Sequence, residues 1–370
     1  MSNSRIDDLS AYAAAADFNG RRLRLAREAQ KLSQRSLAAK VETTPSAISQ
    51  FESGVSKPAP ETVARLALAL GYPPRFFAQP LGDRLELSDC HFRKLRSVPM
   101  AEQRQVLARG DLLLSVVQQL RELVVFPTEQ ISGHMTDVES LEEMEALAER
   151  LRDTWELGLG PISDMIALLE RLGVLVLELR GHSRALDAFS TWFNGQPLVF
   201  LSSDKNSSSR RRFDCAHELG HLLTHRDADP GNKDLENQAN RFASAFLMPA
   251  SSFSKEYPTR LSWGHLRALK KRWKVSLAAM VKRAFDLELI SEATYRRAFV
   301  RLNSAGWRKH EPDEPPFERT TLMLKAVRRL TEDGRRHLAH LAEAIALRES
   351  TIEELVSGAA PQPALSLSLS

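Results

Sequence analysis

His217 and His221 stand four residues apart, with Glu218 directly after the first, in the run Phe213-Asp214-Cys215-Ala216-His217-Glu218-Leu219-Gly220-His221-Leu222-Leu223. The apolar spacing predicts one amphipathic helix. Residues four apart on a helix lie one turn apart on the same face, so both imidazoles reach a single ion. Glu218 is rotated from His217 by about 100°, which sets its carboxylate beside that ion rather than on it. Two His ligands, a third ligand from elsewhere, an open position for water and a Glu base make the pattern of a zinc hydrolase. In such a site Zn2+ brings the pKa of its water toward neutrality, and Glu218, as catalytic base, takes the proton during attack on a carbonyl and passes it to the leaving amine. The competing reading is a surface helix with two solvated histidines. Ala216, Leu219, Leu222 and Leu223 oppose it, because they make this a core helix on which polar groups need a partner.

A second helical stretch, Leu235-Glu236-Asn237-Gln238-Ala239-Asn240-Arg241-Phe242-Ala243, supplies the third ligand, with Glu236 the best candidate. Asn240 lies one turn later on the same face, where its amide is expected to orient a ligating imidazole from the second layer. His225 follows His221 by four residues. On a straight helix it would sit about 12 Å from His217 along the axis, so it is a poor third ligand unless the helix ends first. His225, His182, Tyr257 and Tyr295 are all candidates for the donor that a tetrahedral oxyanion requires, and the sequence does not choose among them. Cys215 is two residues from His217 and points off the metal face, which makes it a small buried residue.

Composition bounds the rest. The chain has 370 residues, 43% of them apolar and 26% charged, enough for two or three packed domains. No run of eighteen apolar residues exists, so no membrane span is expected. The start, Met1-Ser2-Asn3-Ser4-Arg5-Ile6-Asp7-Asp8, lacks the apolar core of a signal peptide, and the two cysteines, Cys90 and Cys215, form no disulfide framework. A cytoplasmic protein fits both facts. The net charge of +4 hides segregation: residues 101–200 hold eight basic and sixteen acidic residues, and residues 254–309 hold fourteen basic and four acidic. Basic surfaces of this kind meet a polyanion or an acidic partner, or pair with the acidic segment inside the fold.

The elements around the histidines follow from periodicity. Residues 101–160 read as helices, and Ile162–Leu172 as another that stops at Gly173. Val174–Leu179, Ala188–Phe193 and Leu198–Leu201 read as strands, with Gly195 in a hairpin turn between the last two. Residues 261–305 read as helical, and His310-Glu311-Pro312-Asp313-Glu314-Pro315-Pro316 reads as a linker.

At the N-terminal end, Leu23, Leu25, Ala26 and Ala29 face inward from a first helix. Ser33 caps a second helix, Pro45 opens a third that Gly54 stops, and Gly71 ends a fourth. This is a helix-turn-helix arrangement. Its third helix lies in the major groove and shows Thr44, Ser46, Ser49 and Gln50 to base edges. Gln34 is placed for a phosphate or for bracing a recognition side chain, and Arg35, Lys40 and Lys57 are expected on phosphates. Double-stranded operator DNA is therefore an expected partner. A homodimer is expected too, since such domains read two half-sites about one turn apart.

Residues 18–78, through Ser33-Gln34 and Ile48-Ser49-Gln50-Phe51-Glu52-Ser53-Gly54, resemble the lambda-repressor-like, XRE-type helix-turn-helix family. Glu42 departs from it, standing where that family usually has the turn glycine. A left-handed backbone there costs a non-glycine residue about 1–2 kcal/mol. Residues from about 160 to 300 resemble the ImmA/IrrE-type metallopeptidases. The strings that carry this resemblance are Ala188-Phe189-Ser190-Thr191-Trp192, Arg212–His221, Glu236–Ala243 and Leu247-Met248-Pro249. It implies His217, His221 and Glu236 as zinc ligands, Glu218 as base, and cleavage of a helix-turn-helix repressor in response to stress, phage or mobile elements.

Together these readings predict an α+β, mostly helical chain. Residues 1–17 are a flexible arm, 18–78 the helix-turn-helix domain and 79–160 a linker and helices. Residues 161–309 are a zincin-like metallopeptidase domain with a small sheet, 310–356 a helical C-terminal region and 357–370 a disordered tail. The function expected is a DNA-binding regulator with a zinc endopeptidase that cuts a repressor, a partner or its own chain. The alternative is a non-cleaving transcription factor, or an antitoxin-like regulator, that keeps the peptidase fold as a sensor. Intact Glu218 favours cleavage, because a structural zinc site needs no base.

Overall fold

The computed structural model describes residues 10–86, 90–92, 98–179, 188–202, 207–225, 232–308, 310–332 and 336–357. Side-chain caps build its first module. Asn19, Ser33 and Thr44 accept backbone N–H groups at the starts of α1 (Gly20–Ala29), α2 (Gln34–Lys40) and α3 (Pro45–Ser53), and Pro60 opens α4 (Pro60–Leu70). Gly54 ends α3 in the left-handed conformation, with φ 76°. Leu23, Ala26, Leu37, Ile48, Val63 and Leu66 are completely buried between these helices. Glu42 has φ 54° in the turn before α3, so the backbone takes the left-handed form with a residue that resists it.

The flexible arm expected over residues 1–17 is corrected in part. Residues 10–16 are helical, with Ala11 and Ala14 buried. Phe18 then packs on Phe51 and Phe77 at ring distances of 6.5 and 6.0 Å. Apolar residues at positions 11, 14 and 18 give this segment a face to bury, and burial outweighs the entropy of a free arm. The proposed tail beyond residue 357 lies outside the described residues.

From the first module the chain passes through β1 (His91–Phe92) into α5 (Met100–Leu123). Arg84 Nε reaches Asp111 at 2.7 Å, and Gln105 Nε2 donates to Ala29 O at 3.3 Å, tying α5 to the connection and to the end of α1. After α6 (Leu141–Thr154) and α7 (Met165–Arg171) come β2 (Leu175–Leu179), β3 (Ala188–Phe193) and β4 (Gln196–Ser202). The sheet order is β1-β3-β4-β2. Asn194 and Gly195, at φ 49° and 75°, turn β3 into β4, as a two-residue type I′ turn requires. β2 runs parallel to β4, with Leu175 opposite Leu198. The three strands read from sequence are present. The fourth, β1, was missed because two residues in a connection carry no alternation to read.

Side chains alternate across the sheet. Phe189 stacks on Phe200 at 4.6 Å, on the face shared with α5 and the first module. Ala188, Val199 and Leu201 join the opposite cluster. That second face carries α8 (Ser208–Thr224) and α9 (Lys233–Leu247). Behind these come α10 (Ala250–Glu256), α11 (Trp263–Trp273), α12 (Leu277–Asp286) and α13 (Glu292–Ser304).

The stretch read as a linker after residue 309 is held along its length. Lys270, with no exposed surface, donates to Glu311 and Glu314 at 2.7 Å each, and Arg267 meets Asp313 at 2.6 Å. Buried Arg212 pairs with Glu318, which also accepts from Met165 N at 2.9 Å. Glu170 takes the N–H groups of Thr321 and Leu322 at 2.9 and 3.0 Å. The chain then returns through α14 (Leu322–Glu332), α15 (Arg336–Ala344) and α16 (Glu349–Ser357), which pack onto α5. Much of the basic stretch 254–309 is thus paired inside the fold, including Arg272 with Glu256 and Arg283 with Glu145.

Candidate metal centre

Two helices bring the candidate ligands together. α8 lies on the sheet, and α9 crosses it closely because Gly220 has no side chain: a Cβ there would sit 3.1 Å from Phe242 Cδ1. At the crossing, His217 Nε2 and His221 Nε2 are 3.1 Å apart, and the Glu236 carboxylate oxygens lie 3.4 Å from His217 and 3.5 Å from His221. A tetrahedral ion with ligand bonds of about 2.0–2.1 Å sets neighbouring ligand atoms about 3.3–3.4 Å apart. The three separations therefore fit one zinc-sized ion with nitrogen and carboxylate donors. Among the described residues, the group that converges in this way is His217, His221 and Glu236. The histidines are buried and Glu236 is half-buried. Burial works to raise the Glu236 carboxyl pKa, but hydrogen bonding and charge from the two imidazoles outweigh it and hold the group well below the ordinary carboxylate range.

Glu218 is 2% exposed, and its Oε2 accepts a 2.6 Å hydrogen bond from Ser190 Oγ on β3. Trp192, two residues on and on the same face, donates from Nε1 to Leu222 O at 3.0 Å. β3 therefore holds both Glu218 and the end of the helix that carries it. Ser190 was missed as a partner of Glu218. The period-2 alternation that puts Ala188 and Trp192 on the helix side also puts Ser190 there.

α8 ends at Thr224, and His225 at its C-cap folds back on the site. His225 Nδ1 lies 2.9 Å from His221 Nδ1, and its Nε2 lies 2.8 Å from Gln238 Oε1. Gln238 Nε2 in turn donates to Val138 O at 3.2 Å. With His221 coordinating through Nε2, its Nδ1–H donates to His225. That fixes the His225 proton on Nε2, where it donates to Gln238. Burial, then the His221 ring, push the His225 pKa down to about 4, so the ring is neutral as this chain of bonds requires. The contact with His221 expected of Asn240 is made by His225, which Gln238 holds in turn, and the half-buried Asn240 makes no side-chain hydrogen bond among the described residues. Spacing favoured Asn240 as a partner of the ligands, but the partner needed is that of His225, off the helix end.

The remaining candidates separate. Tyr257 is 8% exposed, and its hydroxyl has no hydrogen-bond partner among the described residues; burial pushes its pKa up to about 12. Tyr295 stacks on Phe285 at 4.6 Å and lies tilted against Phe299 at 4.7 Å. His182 lies outside the described residues. Cys215 is fully buried, which pushes its thiol up to about 12, in keeping with a packing residue.

On the first module, Arg35, Lys40, Ser46, Ser49 and Gln50 are exposed. Thr44 is exposed as well, but its hydroxyl caps α3 by accepting from Ala47 N at 3.1 Å. Gln34 braces the recognition helix: its Nε2 donates to Glu52 Oε2 at 2.8 Å, and Glu52 is paired with Arg27. Lys57 is exposed as well, and its ammonium donates to Ala16 O at the end of the 10–16 helix.

Comparison with known families agrees with this geometry. Residues 169–285, from α7 through α12, match the peptidase M78 family, the IrrE N-terminal-like domain. Residues 23–77 match a helix-turn-helix family. The chain joins these two domains. No curated protein matches it. The IrrE N-terminal-like domain thus contains the whole convergent set, His217, Glu218, His221 and Glu236, as well as Ser190, His225 and Gln238. Among the described residues no helix is long and apolar enough to cross a membrane.

Proposed function

We propose that this protein is a DNA-bound transcriptional regulator whose IrrE N-terminal-like domain is a zinc-dependent endopeptidase. Its substrate would be a peptide bond in a helix-turn-helix repressor, a partner protein or the chain itself. The observation that carries this reading is the convergence of His217, His221 and Glu236 within 4.8 Å, with buried Glu218 alongside. Zinc, when bound, supplies Lewis acidity and an acidified water. The chain's own residues do the rest. His225 and Gln238 fix the His221 ring, Ser190 holds one oxygen of Glu218, and Glu218 carries a proton from water to the leaving amine. The exposed face of α3, with Ser46, Ser49 and Gln50, supports reading of operator DNA, with Arg35 and Lys40 on phosphates and two copies on paired half-sites.

The decisive experiment compares wild type with Glu218→Gln. Both should carry about one zinc per chain. Proteomics of protein termini in cells should then find fragments in wild type that are missing from the variant. Identical fragments and identical gene expression in the two would reject the peptidase and leave a sensor domain on a repressor.

A further inference from the structure

The ion pairs inside the fold leave three arginines of the basic stretch over. Arg260 lies between α10 and α11, and Arg297 and Arg301 lie one turn apart on α13. All three are exposed and line one cleft of about 460 Å³, a size that suits a small molecule. Among the described residues none of the three meets a carboxylate. The nearby acids are engaged elsewhere: Glu256 with Arg272, Asp286 with Lys282, and Glu292 with Arg296. Glu288, the remaining acid of residues 254–309, does not line the cleft. Like charges one turn apart on a helix repel, and Arg260 brings a third from another segment. An anion in the cleft would relieve that repulsion.

The rest of the lining narrows the kind of anion. Thr294 Oγ1 accepts from Arg297 Nη2 at 3.1 Å, which steers the guanidinium and leaves its other N–H groups to a ligand. Leu261, Ile290 and the half-buried Trp263 give the cleft an apolar side. The Trp263 ring is held edge-on by Trp307 at 5.5 Å. Guanidinium groups bind phosphate oxygens through paired hydrogen bonds, and three of them match a di- or triphosphate better than a single carboxylate. An indole offers a face on which any base can stack.

We propose that this cleft binds a nucleoside polyphosphate, with Arg260, Arg297 and Arg301 on the phosphates and Trp263 against the base. None of the candidate zinc ligands lines it, so the site stands apart from the peptidase reading. α13 lies beyond residue 285, where the match to the IrrE N-terminal-like domain ends, so one wall of the cleft is outside that domain.

The probe is mant-ATP, read by fluorescence titration of the full-length protein in buffer without added divalent cations. Binding should saturate. Arg297→Ala and Arg301→Ala should each weaken it about tenfold, as loss of a hydrogen bond to a charged group does, and the double variant should remove it. Both positions are exposed, and thermal unfolding checks that the variants fold; Arg297→Gln/Arg301→Gln gives the same test should the alanine pair fail. Lys255→Ala, which removes the same charge from an exposed position outside the cleft, should bind as wild type does. Unlabelled ATP should displace the probe at a concentration at least about tenfold lower than inorganic pyrophosphate, because stacking adds to the phosphate contacts. Equal potency of the two overturns the nucleoside assignment. No saturable binding, or equal binding by wild type and Arg297→Ala/Arg301→Ala, overturns the site. Displacement by a single-stranded oligothymidylate at a lower concentration than ATP would make the cleft part of a nucleic-acid track and overturn the small-molecule assignment.

Discussion

Removing the His225 imidazole should loosen zinc as well as the fold. His225 is 4% exposed and bridges His221 Nδ1 to Gln238 Oε1. In His225→Ala the Nδ1–H of His221 and the carboxamide oxygen of Gln238 face a hole. Loss of a partner that orients a ligating histidine weakens metal binding about 10–100-fold, which is about 1.4–2.7 kcal/mol. The same change strands buried polar groups in the metal-free protein, at about 1–3 kcal/mol. The two effects separate in measurement. Zinc affinity is read by competition with a chromophoric chelator, and the fold by thermal unfolding of the stripped protein. His225→Asn keeps an acceptor near His221 but cannot span to Gln238, so it should recover part of the affinity. If His225→Ala binds zinc within about twofold of wild type while its melting temperature falls, His225 is a packing residue and the tautomer argument above is wrong.

Three further outcomes follow from named contacts. Burial works to raise the Glu145 carboxyl, but hydrogen bonds and charge from Arg283, then Arg241, hold it below the ordinary carboxylate range. A folded pKa below the unfolded value of about 4.3 contributes stability above that pH, which is lost as pH falls through the folded pKa. Glu145→Ala leaves completely buried Arg283 unpaired, at about 3 kcal/mol, the low end for a broken buried pair because Glu145 is partly exposed. The gap from wild type in urea unfolding should shrink from pH 7 to pH 3, and a constant gap would refute the assignment. Gly220→Val places carbon 3.1 Å or less from Phe242 and should push α9 away, lowering zinc affinity in the same chelator assay. On DNA, Gln50→Ala should relax sequence preference, whereas Lys40→Ala should weaken all sites alike and flatten the salt slope by about one; a reversal of these two patterns in binding titrations would displace α3 from the groove.

The convergence of His217 and His221 was legible because it is written in local spacing. About four residues make one helical turn, and Glu236 stood in a nearby helical stretch downstream. The helix caps at Ser33 and Gly54 were legible for the same reason, since they act within their own turns. What was not legible is whatever depends on contacts between distant segments. Ser190 meets Glu218 across 28 residues, Glu318 meets Arg212 across 106, and β1 meets β3 across nearly a hundred. The stretch 310–316 looked like a linker because proline and acidic residues mark exposed chain, and its acids turn out to be partners for Lys270 and Arg267. His225 makes the contact expected of Asn240 because α8 stops at Thr224, and a helix end is accurate from sequence only to a residue or two.

The connection between the two domains bears on how a DNA-bound state would reach the metal site. One continuous apolar cluster contains Leu23 and Ile48 of the helix-turn-helix domain, Leu113 and Leu120 of α5, Phe189 and Phe200 of the sheet, and Leu341 and Ile352 of the returning helices. The reading head is therefore not hung on a floppy tether; its core runs into the outer face of the sheet whose other face supports α8. Packed interiors resist gradual deformation, so α3, α5 and β3 are held in one arrangement by this cluster. β3 carries Ser190 to Glu218 on one face and Phe189 to this cluster on the other. The strands β3 and β4 are therefore what this cluster and the Glu218 helix share, one on each face of the sheet.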